Sequence, residues 1–227
     1  MRPGALGQDM TVIDPGRALA LSYAPPATRA GLEALFALDD RLATIVRSTR
    51  EPMVGQMRLT WWHEALTRLQ IAPVPQEPVL QSIESLVLTA GVSGSSLAAM
   101  TDGWEILLQA EIDTATLEAF ATDRGGRLFE VAARMLGIDD RRIGLAGEGW
   151  ALVDLARGLT DTILAGHART LATTRFDAAF RGRWPRAARS LGALALLARF
   201  ENVAALAQSP GPTRRIARLM LHRLAGY

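Results

Sequence analysis

Residues 29–66 read RAGLEALFALDDRLATIVRSTREPMVGQMRLTWWHEAL. In the first half, Leu32, Leu35, Phe36, Leu38, Leu42, Ile45 and Val46 recur at the three-and-four spacing of a single helix face. This spacing predicts a helix from about Thr28, a candidate N-cap, to Thr49. Pro52 suits a first helical turn. A second helix is therefore expected from Pro52 to Leu69, with Met53, Met57, Trp61 and Leu66 as its apolar stripe.

Working outward, the same periodicity predicts helices over 78–90, 95–110, 114–136, 143–166, 186–207 and 212–225. Breaks are expected at Gly91–Gly94, Asp113, Gly137–Asp140, the Arg-rich 175–186 and Ser209–Pro212. No useful strand alternation, repeat or low-complexity tract intervenes. The expected fold is all-α: one helical domain over 18–227, after a flexible arm over 1–17 marked by Pro3, Gly4, Pro15 and Gly16. The proline-bearing linker IAPVPQEP, residues 71–78, is too short to mark a domain boundary.

The chain has 227 residues, 49% apolar and 21% charged, enough to bury a sizeable core. It has no cysteine, which excludes disulfides, thiolate metal sites and a Cys nucleophile. All 25 basic residues are Arg, so Schiff-base chemistry on lysine is excluded as well. Phosphate-cradling glycine loops and nucleophile elbows are absent, and His63, His167 and His222 match no metal-ligand spacing. The most apolar stretch, Ser190–Ala207, is interrupted by Arg199, Glu201 and Asn202, so it reads as a buried helix and not a membrane span.

Charge is unevenly spread. Residues 169–227 hold eleven Arg against Asp177 and Glu201, a net of +9, whereas residues 1–168 have a net of −7. This Arg-rich third would suit an anionic membrane surface or a protein partner; the plainer alternative is solubility. Nucleic acid is not an expected partner, because aromatics are not interleaved with the arginines. The expected location is cytoplasmic, with a peripheral seat on the inner face of the membrane as the further possibility.

Three clusters could carry chemistry. Asp39 and Asp40 could hold Mg²⁺, a hard cation that bridges carboxylates to diphosphate oxygens; alternatively they belong to a solvated face. Asp154, Arg157 and Asp161 share a helix face by spacing. They could bind a metal or an anionic head group, or Arg157 could simply be clamped between two Asp. Arg58, Trp61, Trp62, His63 and Glu64 crowd one turn, and two adjacent Trp cannot both face one core. Gly125 and Gly126, within a helical pattern, would let another helix or an apolar ligand approach the backbone.

Taken together, these segments resemble the squalene/phytoene synthase family. Residues 29–66 look like the family's opening, in which an Arg-bearing helix leads into an aspartate-rich motif and then R-L-x-W-W. DGWEILLQAEIDTATLEAFATDRGGRLFEVAARMLG, residues 102–137, resembles its middle segment, and GWALVDLARGLTD, residues 149–161, its second aspartate-rich helix. The resemblance spans roughly residues 18–225. It implies an isoprenoid-synthase-like bundle with a central cavity, in which two aspartate-rich helices hold Mg²⁺ against a prenyl diphosphate or shelter another apolar ligand. It implies Asp39, Asp40, Asp154 and Asp161 as the catalytic set, with Asp39 and Asp40 on the metal. Ser22, Tyr23, Arg29, Arg58, Trp61, Trp62 and Arg157 would bind substrate.

The motifs are degraded. With Asp39–Asp40 as the first motif, its later Asp is missing at Ala43 or Thr44; set from RLTWW, the motif falls on Ala43 to Arg47 and has no acid. In the second motif Val153, Ala156, Leu159 and Thr160 stand where the family has Gln, Asn, Arg and Asp. Each lost electrostatic partner costs several kcal/mol, about tenfold in rate per ~1.4 kcal/mol. The expectation is a non-catalytic or weakly active isoprenoid-binding or respiratory-complex assembly protein. STREPMVGQMRLTWW resembles the branch containing a mitochondrial assembly factor for respiratory complex I. The alternative is an active Mg²⁺-dependent head-to-head prenyl transferase.

Overall fold

The computed structural model describes residues 14–109, 111–205 and 212–227. The helices in chain order are α1 (Pro15–Leu21), α2 (Pro26–Ser48), α3 (Pro52–Arg68), α4 (Pro78–Leu86), α5 (Gly94–Ala98), α6 (Met100–Glu105), α7 (Thr114–Phe120), α8 (Arg127–Met135), α9 (Arg141–Gly158), α10 (Thr162–Ala179), α11 (Arg189–Ala205) and α12 (Pro212–Ala225). A π-helical turn, Ala121–Gly126, joins α7 to α8. Among the described residues there is no strand, so the fold is all-α as expected.

Proline opens α1, α2, α3, α4 and α12. Its missing N–H would be unpaired there anyway, and its fixed φ already suits the helix. This moves the start of α2 to Pro26, ahead of Thr28, whose hydroxyl donates to the Pro25 carbonyl at 3.2 Å. It also starts α1 at Pro15, inside the stretch expected to be a loose arm; residues 1–13 and the expected break from Ser209 lie outside the described residues.

Three elements differ from the periodic reading. The helix expected over 95–110 is α5 and α6, followed by a 3-10 turn at Ile106–Leu108. The helix expected over 143–166 is two helices. α9 ends at Gly158, Leu159 turns extended, and the Asp161 carboxylate caps α10 by accepting from the Ile163 and Leu164 N–H groups at 2.8 and 3.0 Å. α10 then runs on to Ala179, through the first part of an expected break. On α3 three of the four expected stripe residues lie outside, Met53 74%, Met57 68% and Trp61 47% exposed, while the fourth, Leu66, faces the core with Gly55, Leu59 and Trp62. Both faces of this helix are apolar, so periodicity alone could not choose between them.

The seven apolar positions that defined α2 are all buried, and α9 packs against α8, α10, α11 and the π-helical turn. α12 is fastened by its C-terminal end. Arg189 donates to the carbonyls of Arg223 and Leu224 at 2.7 and 2.9 Å, and the Trp184 N–H donates to the Gly226 carbonyl at 2.7 Å. Gly226 has φ +82°, and a Cβ there would lie 2.5 Å from the Trp184 carbonyl, so only glycine fits this turn.

His222 anchors the inner face of α12 against the Trp184 and Phe180 rings. Burial, with the nearby Arg189 cation acting the same way, pushes its imidazole down to about 4. Between pH 6.5 and 4 the unfolded chain takes up a proton that the folded chain refuses. Stability should therefore fall by about 3 kcal/mol as pH drops through that window. Denaturant melts at pH 7 and near pH 4 check this: His222→Leu should lose the part of the pH slope due to this residue, and an unchanged slope would contradict it.

Candidate functional site

The middle of the bundle is organised by a residue outside both aspartate-rich segments. Arg124 lies on the π-helical turn, its side chain only 4% exposed. Its Nε and Nη2 donate to Asp39 Oδ1 and Oδ2 on α2 at 3.2 and 3.0 Å. Its Nη1 donates to Asp154 Oδ2 on α9 at 2.7 Å. Trp104 Nε1 completes the shell of Asp39, donating to Oδ1 at 3.0 Å. The guanidinium carbon lies 4.1 Å from the centre of the Trp104 ring, 4.8 Å from Trp150 and 5.4 Å from Phe120. One planar cation thus joins two carboxylates inside an aromatic box, an arrangement that suits Arg and not a compact ammonium.

The electrostatics follow. Burial would by itself lower the Arg124 pKa, but the charges of Asp39 and Asp154 outweigh it and raise it further, so the cation is permanent. Burial would raise Asp154; the Arg124 cation and its hydrogen bond prevail, and the carboxyl is held below the usual range. Arg47 at 3.7 Å and Arg157 at 3.9 Å add positive charge at the outer edge of Asp154. Two carboxylates are therefore met by three guanidiniums.

The sequence-derived site residues scatter around this centre. Asp39 and Asp154 meet on Arg124. Asp40 points the other way, accepting from Arg17 Nη1 at 2.8 Å. Asp161 is an exposed helix cap and not part of a stripe with Asp154. Arg157 is not clamped between two Asp: its main partner is Glu201, with Nε to Oε1 at 3.0 Å. Ser22 ends α1, its hydroxyl donating to the Leu19 carbonyl at 2.6 Å. Arg29 ties the α1–α2 turn, donating to the Ser22 and Ala24 carbonyls at 2.9 and 3.2 Å. Tyr23 lies under Arg223, 4.9 Å from ring centre to guanidinium. Arg58, Trp61 and Trp62 line an outer cleft of about 430 Å³ between α2 and α3, together with Arg41, Thr44 and Glu77. The Trp pair divides as its adjacency demands: Trp62 is buried, and Trp61 meets it edge-on at 5.5 Å from outside.

Mg²⁺ does not fit these residues. Both oxygens of Asp39 are taken by protein donors, and Arg124 supplies the positive charge a metal would bring. Among the described residues no three His, Asp or Glu side chains are grouped to hold a metal ion. The signal for Arg124 was present in the sequence: it lies seven residues after Leu117, four after Phe120 and four before Leu128, all buried. An Arg on an apolar stripe implies buried acidic partners.

Fold and centre together define an all-α, isoprenoid-synthase-like bundle whose two carboxylate helices are joined through one guanidinium. The chain belongs to the squalene/phytoene synthase family, whose family model matches residues 12–172. No curated protein and no solved structure matches it.

Proposed function

We propose that this family member does not couple prenyl diphosphates and instead works as a binding protein of the respiratory-complex assembly type. The observation that carries the reading is Arg124. It fills the space between Asp39 and Asp154, and neutralises acids that a metal-diphosphate mechanism would need free. An apolar tunnel with an isoprenoid in it is disfavoured at this level of the bundle for the same reason. Support for a protein partner comes from α3. STREPMVGQMRLTWW, the segment resembling the assembly-factor branch, presents Met53, Met57 and Trp61 to solvent. Arg58 beside them has no ion-pair partner among the described residues.

The test is direct. Purified protein with farnesyl or geranylgeranyl diphosphate and Mg²⁺ is expected to release no pyrophosphate above the protein-free rate. A head-to-head hydrocarbon product would overturn the reading. In the source cells, deletion is expected to lower NADH oxidation by membranes. A chain carrying Asp40→Ala and Asp161→Ala should restore it, and one carrying Trp61→Glu should not.

A further inference from the structure

The outer face of α12 belongs to neither the interior nor the α3 surface. Ile216, Met220, Leu224 and Tyr227 recur at three- and four-residue spacing and are 56%, 59%, 78% and 53% exposed. Leu221 widens this stripe at one side. Leu219 and His222 point the opposite way, into the bundle, so the helix is apolar on both its packed and its open face.

α12 itself, PTRRIARLMLHRLA, carries no acidic residue. Arg218 and Arg223 flank it on α12, and the α10–α11 connection places Arg183 at its C-terminal end, with Nε donating to the Ala225 carbonyl at 2.6 Å. Arg186 follows on the same connection and is exposed. Arg186 and Arg218 have no ion-pair partner among the described residues. The two acids of residues 169–227 are already used: Asp177 pairs with Arg199 at 2.7 Å and Glu201 with Arg157 at 2.6 Å. Residues 169–227 hold no other acid.

We propose that α12 is an interfacial helix that docks this protein on an anionic lipid surface. The Ile216–Met220–Leu224–Tyr227 stripe enters the boundary between headgroups and acyl chains, and Arg183, Arg186, Arg218 and Arg223 meet lipid phosphates. An amphipathic helix with a large apolar face bordered by Arg lies in the plane of such a surface, and anionic lipid attracts each cation within a Debye length. No described helix is long and apolar enough to cross the bilayer, so the attachment is peripheral. The surface is independent of Arg124 and of any turnover, so it can fail or stand without deciding the function proposed above.

Co-sedimentation of the full chain with phosphatidylcholine vesicles, with and without phosphatidylglycerol, tests it. Binding is expected only with the anionic lipid, and it should weaken steeply as salt rises. Arg186→Gln with Arg218→Gln should weaken it by roughly five-fold per Arg. Met220→Glu with Leu224→Glu should weaken it by about ten-fold or more. These side chains are exposed, so thermal melts should not move. Met57→Glu on α3 should leave vesicle binding unchanged. Three results would overturn the proposal: equal binding to neutral vesicles, retention of binding by both α12 variants, or a chain that is dimeric in solution and made monomeric by Leu224→Glu, which would assign the stripe to a second copy.

Discussion

Arg124→Met should destabilise the protein by about 3–5 kcal/mol, lowering its Tm by on the order of 10 °C. The volume lost is small, so the cost is electrostatic. Asp39, with both oxygens engaged and its side chain 2% exposed, would be left as a buried anion facing aromatic rings. Asp154 would keep Arg47 and Arg157 and suffer less. Adding Asp39→Asn to Arg124→Met should therefore recover part of the loss, because a neutral amide needs no counter-ion. Denaturant melts of wild type, the two single variants and the double variant measure the coupling. A loss below about 1 kcal/mol for Arg124→Met, or no recovery in the double variant, would mean that the pair is not what holds α2 and α9 to the π-helical turn.

Gly147→Ala should cost about 3 kcal/mol or more, and Gly125→Ala a similar amount, although each adds a single methyl. The π-helical turn crosses α9 so closely that a Cβ on either glycine would fall 2.1 Å from the carbonyl oxygen of the other. At Gly147 it would also come within 2.7 Å of Phe129. Backbone cannot rotate away as a side chain can, so the two segments must separate, and Arg124 moves with them. Gly166→Ala is the control, since nothing lies within 4 Å of a Cβ there; it should be neutral or slightly stabilising. The neighbour that meets the paired glycines is thus a helix and not a ligand. Equal melting of Gly147→Ala and Gly166→Ala would remove this close crossing from the account.

These two effects share one origin. Gly125 allows the approach of α9, and that approach puts Arg124 within reach of Asp154 while α2 supplies Asp39. In a metal-dependent enzyme of this shape, two carboxylate helices would be bridged by an exchangeable cation and its diphosphate. Here the bridging cation is covalently part of the chain.

Local chemistry made much of this legible in advance. Helix-opening prolines, the apolar stripe of α2 and the lack of strand alternation determined an all-α bundle. Other signals point two ways: Gly158 and Asp161 are a helix stop and a helix start, yet the surrounding residues keep helical spacing, which hides the break between α9 and α10. Tertiary structure alone decided which face of α3 is buried, that Arg58 and the Trp pair lie in an outer cleft, and that Asp39 and Asp154 share one guanidinium. The reason is distance along the chain. A cap or a stripe is written within a few residues, whereas Arg124 meets partners 85 positions before it and 30 after it, and only packing brings those together.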